Sequence, residues 1–163
     1  MGEAVRSLDR VPRWHIRDAV IGDVYRLAAN LRVEDYDEVR AAGARLPEAL
    51  RTTFRHAVTR HTVLVDGEIA AMFGLGGQLL SDVGHPWLVT APPIERVRFA
   101  FVREGRAIVA DMMARRRLLE NHVLASYTRA CRFLAVLGFT LDAPAPFGHG
   151  ALFRRFWMAR GML

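Results

Sequence analysis

Apolar positions change their spacing several times along the chain, and each change marks an element. "WHIRDAV" (Trp14 to Val20) reads as a first strand after an N-terminal extension over residues 1–13. In "IGDVYRLAANL", Ile21, Val24, Ala28 and Leu31 share one helical face. "VEDYDEVRAAG" predicts a second short helix that ends at Gly43. A third starts with Pro47, a residue suited to a first helical turn, and presents Leu50, Phe54 and Val58. "HTVLVDGEIAAMFGLG" carries the clearest local signal. Two β-rich runs flank Asp66-Gly67, a dipeptide that accepts positive φ at both positions of a tight hairpin. "HPWLVT" is another strand, followed by the turn-forming "APP".

The spacing from Arg98 to Arg116 predicts a long amphipathic helix with Phe101, Val102, Ile108, Val109, Met112 and Met113 inward. "LLENHVL" reads as a strand. In "YTRACRFLAVLGF" a helical stripe of Ala130, Phe133, Leu134 and Leu137 stops at Gly138, which accepts the left-handed conformation that closes a last turn. "FTLD" is a strand, "APAPFGHG" a loop and "ALFRRFWM" a final strand. The order β-α-α-α-β-β-β-α-β-α-β-β predicts an α/β fold, a mixed sheet with helices on both faces. With 163 residues and no internal repeat or linker, a single domain over residues 14–163 is expected.

Composition narrows the class. Hydrophobic residues make up 52% without any run long enough to span a bilayer, so a soluble protein without a membrane partner is expected. The N-terminus lacks a secretory pattern, and a single cysteine excludes an intramolecular disulfide, so a cytoplasmic setting is expected. The formal charge is +6 and every Lys-plus-Arg residue is arginine. Abundant Ala, Gly and Val beside the missing lysines match GC-rich coding, while the excess charge favours an anionic ligand. The six histidines show no metal-ligand spacing, so no metal is expected. "ARRR" (Ala114 to Arg117) suits a helix C-terminus, and no nucleic-acid-binding motif accompanies it.

This element order, with its strand-helix-"LGF" ending, resembles the GCN5-related N-acetyltransferase (GNAT) superfamily from His15 to Met158. "LRVEDYDEV", "DGEIAAMFG", "GHPWLVT", "LENHV" and "LAVLGF" also resemble bacteriophage acetyltransferase-like proteins, including internal virion or assembly proteins. The resemblance implies a central strand ("HPWLVT") that splays from a parallel neighbour ("LLENHVL") and admits the pantetheine arm of acetyl-CoA. It implies acetyl transfer to a small-molecule or protein amine. Leu88, Val89 and Thr90 would offer the backbone N–H that meets the oxyanion, Arg98 and Arg103 would hold the diphosphate, and Asn121 would bind pantetheine or pair within the sheet. Asp35, Glu38 or His85 would take the amine proton, and Tyr127 would bring a hydroxyl near the thiolate.

Against these roles stand plainer readings: a solvated helix face for Asp35 and Glu38, a structural histidine at a strand edge, a core Trp87 and an inert buried thiol at Cys131. The sequence also departs from the family pattern. The Gly-rich diphosphate loop is replaced by "TAPPIERVRFAF", with no glycine and two prolines that cannot donate. Leu134 stands where a general-acid tyrosine is common, and Tyr127 where an Asn is common. A non-catalytic, phage-derived protein that binds other phage proteins in assembly or in the virion is the alternative expectation.

Overall fold

The computed structural model describes residues 10–161. Its elements are β1 (Trp14–Asp18), α1 (Ile21–Ala28), α2 (Val33–Ala41), α3 (Glu48–His56), β2 (Thr59–Val65), β3 (Glu68–Gly76) and β4 (Val83–Thr90). A 3-10 turn (Pro92–Val97) then leads to α4 (Arg98–Arg115), β5 (Leu118–Leu124), α5 (Thr128–Val136), β6 (Thr140–Leu141), β7 (Ala145–Phe147) and β8 (Ala151–Ala159). Residues 1–9 of the expected N-terminal extension lie outside the described residues. Arg13 is tied to the β2–β3 turn, because its C=O accepts the Asp66 N–H at 2.7 Å and its N–H donates to the Asp66 carboxylate at 3.0 Å.

The strands form one sheet in the order β1-β2-β3-β4-β5-β8-β6, with β7 on β8. Every pairing is antiparallel except β4 with β5. Asp66 and Gly67 take φ of 50° and 84°, and the tight turn they make sets β2 against β3. The mixed sheet with helices on both faces therefore stands as expected. Among the described residues no helix is long and apolar enough to cross a membrane.

Two apolar clusters sandwich the sheet. One packs Val63, Phe73, Leu119, Val123 and Phe156 against Phe101, Val109 and Met112 of α4, with α5 covering its edge through partly buried Phe133, Leu134 and Leu137. The other packs Met72 and Ala91 against Val24 and Leu27 of α1 and Leu50 and Phe54 of α3. Gly138, at φ +99°, ends α5 and turns the chain into β6.

Two expectations need correction. Helix α1 does not bury Ile21, which is 45% exposed, but rotates to bury Asp23 with Val24 and Leu27. The cause is polar: the Asp23 carboxylate accepts both Arg17 guanidinium nitrogens at 2.7 and 2.8 Å and the Thr62 hydroxyl at 2.8 Å. The expected loop "APAPFGHG" contains strand β7, paired to Ala151, Leu152 and Phe153. Its proline is tolerated because β7 pairs on one side only, and Phe147 anchors it by packing on Phe153 and His122.

Candidate functional site: a cleft where two strands part

β4 and β5 pair only at Val83–Leu118 and Gly84–Leu119. Two residues further along β4 comes Pro86, which has no N–H to give to a parallel ladder. From there the strands separate, and side chains take over the backbone groups that the ladder no longer serves. Asn121 bridges the fork, donating its amide to the Pro86 C=O at 3.0 Å while its own carbonyl accepts the His122 N–H at 2.9 Å. Asn121 thus pairs across the sheet and also lines the gap. The Leu124 N–H donates to the Glu38 carboxylate at 2.7 Å. On β4, the Thr90 N–H and hydroxyl reach Asp35 at 3.2 and 2.6 Å, and the Thr90 C=O accepts the Arg32 N–H at 3.1 Å.

Thr90 thus turns its backbone groups away from β3, whereas the next residue, Ala91, donates its N–H to the Ala70 C=O. Backbone groups alternate sides along a strand, so Val89 faces β3 and Leu88 faces the gap. Thr90 is engaged by Asp35, and Leu88 alone of the three candidate residues offers an N–H to the cleft without a partner of its own.

The gap opens into a cavity of about 740 Å³. Its walls are mainly apolar, from Leu88, Phe101, Val109 and Met112 on one side to Phe133 and Leu137 of α5 on the other. Gly105 of α4 faces α5 so closely that a Cβ there would stand 3.0 Å from Leu137. Leu134, Phe133 and Trp87 line the cavity without filling it.

At one end of the cavity sits a polar cluster. Asp35, 4% exposed, accepts the Tyr127 hydroxyl at 3.1 Å in addition to its two bonds from Thr90. Burial pushes its carboxyl up, opposed by the hydrogen bonds from Thr90 and Tyr127 and by the charge of Arg32. Burial pushes Glu38 up to about 7, and the neighbouring Asp35 charge adds to that against the single bond from Leu124. Burial and the Asp35 charge also raise the Tyr127 phenol above its ordinary value. The Tyr127 hydroxyl gives its proton to a hydrogen bond with the Asp35 carboxylate in this arrangement.

The remaining candidates separate. Arg98 lines the cavity. Arg103 is exposed and stands off the cavity wall. His85 lies at the closed end of the fork, its Nδ1 against the Glu120 C=O at 3.0 Å, and lines a separate surface hollow with His56 and Gln78. Cys131 is half-buried, and burial raises its thiol.

Sequence reasoning missed Arg32, Glu95, Arg129 and His122, all of which line the cavity. Glu95 was the legible one, a lone carboxylate within the stretch where an anion cradle was sought. His122 carried no signal, since only β5 and β7 together stack its ring on Phe147, with centroids 4.1 Å apart.

For acetyl-CoA the fit divides in two. A mainly apolar cavity between parted strands, with an unclaimed N–H on its edge, suits the pantetheine arm and its thioester. The turn after β4 has little backbone to offer the diphosphate: Pro92 and Pro93 have no N–H, and the Ile94 N–H is given to the Ala91 C=O. That group falls to arginine side chains at the mouth, Arg98 among them.

The chain matches no family model and no curated protein. Solved structures match it along nearly its whole length and share its fold. They include the ribosomal-protein-S18-alanine N-acetyltransferase from Escherichia coli, 13% identical, with 93% of this chain and 96% of that one covered at a TM-score of 0.66. A GNAT-family acetyltransferase from Streptococcus pneumoniae is 14% identical, with 91% and 100% covered at 0.58. A putative acetyltransferase from Salmonella typhimurium, solved with its cofactor acetyl-CoA, is 12% identical, with 92% and 95% covered at 0.58. The fold is that of the GNAT acetyltransferases.

Proposed function

We propose that the protein is an acyl-CoA-dependent N-acyltransferase, with acetyl as its group, that acts on an amine of a small molecule or a protein. The carrying observation is the parted strand pair, which puts the Leu88 N–H and the Glu38 carboxyl on one open cleft. Acetyl-CoA, when bound, supplies the acetyl group already activated as a thioester.

The chain's own residues do three things. The Leu88 N–H, fixed on a strand edge before any reaction, meets negative charge as it grows on a carbonyl oxygen. Glu38 accepts a proton from the attacking amine, and its value of about 7 lets it be ionised at neutral pH while remaining basic enough to matter. Asp35, held by Thr90 and oriented by Tyr127, keeps α2 on β4 and so positions Glu38 one helical turn further on. His122, on the same wall, lies where an acceptor would stack or hydrogen-bond.

A cleft filled by Leu134, Phe133 or Trp87 would favour a non-catalytic, phage-derived assembly or virion protein. Their side chains leave it open. Calorimetric titration with acetyl-CoA, followed by thiol release with a panel of amines, tests the proposal. Binding of acetyl-CoA is expected, with turnover that falls on Glu38→Gln. No binding at millimolar acetyl-CoA would overturn it.

A further inference from the structure

One carboxylate gathers the arginines at the mouth of the cleft. Glu95 sits in the turn that follows β4, and both its oxygens accept Arg129 Nη2, at 2.6 and 2.8 Å. Arg129 belongs to the first turn of α5, which follows β5. The pair therefore spans the gap between the parted strands at their open end. Arg32, just before α2, reaches the same carboxylate at 2.8 Å, and Arg98, at the start of α4, lies 3.9 Å away.

Three guanidiniums around one carboxylate leave a net positive charge, and all four side chains line the cavity. The Glu95 carboxyl is held below its ordinary range by Arg129, Arg32 and Arg98, although burial alone would raise it. Pro92 and Pro93, beside them, have no N–H to offer an anion.

We propose that Glu95 is an internal counter-anion at a phosphate-ester site: Arg32, Arg98 and Arg129 form the site, and an incoming diphosphate displaces the Glu95 carboxylate from them. Arg32 is the fixed member, 13% exposed and bonded through its N–H to the Thr90 C=O. Arg129, 52% exposed, is the mobile one. Its helix packs on the core further along, through Phe133 and Leu134, so release of Glu95 loosens the first turn of α5. Partly exposed ion pairs are weak enough to exchange with a soluble anion. A diphosphate offers more charge and more acceptor oxygens to the same guanidinium forks than a carboxylate does. The natural ligand's identity rests on the acyl-CoA reading, whereas the site does not.

Inorganic pyrophosphate is the probe, titrated calorimetrically at constant ionic strength. Glu95→Gln removes the internal competitor, so pyrophosphate should bind about fivefold to tenfold more tightly than to the unaltered protein. Arg129→Gln should weaken it by about tenfold. Equal or weaker binding by a folded Glu95→Gln protein would make Glu95 a structural strap and overturn the proposal, as would the absence of pyrophosphate binding to either protein. In case Glu95→Gln does not fold, amide exchange on the unaltered protein decides. Saturating pyrophosphate should speed exchange at the start of α5, and no change there overturns the proposal. Tightening without acetyl transfer to any amine would leave this site standing and remove the reaction. Turnover with unchanged pyrophosphate affinity would do the reverse.

Discussion

The two ends of the β4–β5 pair differ although they belong to the same two strands. At the closed end, Val83 and Gly84 meet Leu118 and Leu119 in an ordinary parallel ladder. A Cβ on Gly84 would come within 2.7 Å of Leu75, so the packing there is tight and specific. At the open end the edge groups are served one by one: Asn121 for Pro86 and His122, Glu38 for Leu124, Asp35 for Thr90. The closed end uses the most regular solution to backbone satisfaction. The open end meets the same requirement with side chains, two of them carboxylates, and that leaves titratable groups and one unclaimed N–H facing a cavity. Accounting for backbone hydrogen bonds thus locates the site.

Changes at the open end should act on activity or on the bonds that hold the fork, and loss of the exposed His85 ring at the closed end on little. The largest effect is expected from Glu38→Gln. Loss of a general base lowers kcat by about 10²- to 10⁴-fold and removes the rise in rate centred near pH 7. Stability gives a second readout. Folded Glu38 keeps its proton to about pH 7 against an ordinary 4.5, so the folded chain loses stability as pH rises through that interval. The upper limit of that loss is about 3 kcal/mol, and Glu38→Gln should flatten the profile in chemical denaturation between 4.5 and about 7 on the pH scale. A profile that keeps its slope in the variant assigns the titration to another group.

Leu88→Pro removes the cleft-facing N–H at a position without a ladder partner on that side. Steady-state kinetics should show kcat reduced by about 10²- to 10³-fold, with circular dichroism unchanged. Asp35→Ala strands the Thr90 N–H, the Thr90 hydroxyl and the Tyr127 hydroxyl, and should cost about 1–3 kcal/mol in urea unfolding. Asn121→Ala opens the bridge across the fork and should cost about 1 kcal/mol by the same measurement. The smallest change is expected from His85→Ala, at the closed end and exposed, which should stay within about 0.5 kcal/mol and leave kcat/KM unaltered. A large loss of activity there would erase the distinction between the two ends.

The elements were legible in the residues because they rest on local rules. Asp66-Gly67 accepts the hairpin's positive φ wherever it stands, Gly138 stops a helix by the same freedom, and the spacing of Phe101, Val109, Met112 and Met113 defines a buried face within a single helix. The order of those elements then restricts the layering to a mixed sheet between helices. β7 was hidden, because two prolines and two glycines in "APAPFGHG" read as a loop until an antiparallel partner and the His122 ring were there to hold Phe147.

The site was legible only in part. Asp35, Glu38 and Tyr127 were named as candidates, but their joining on one cleft depends on α2 and α5 docking beside the parted strands from opposite ends of the chain, 92 residues apart for Asp35 and Tyr127. Arg103 and His85 carry suitable chemistry, yet backbone direction turns the one away from the cavity and puts the other at the closed end. Glu95 and Arg129 meet across 34 positions of sequence. The sequence by itself therefore determined the elements, their order and the supply of ionisable residues, since each follows from neighbours a few positions apart. Tertiary structure alone decided which of those residues share the cleft, because burial and charge pairing depend on distances that no local rule sets.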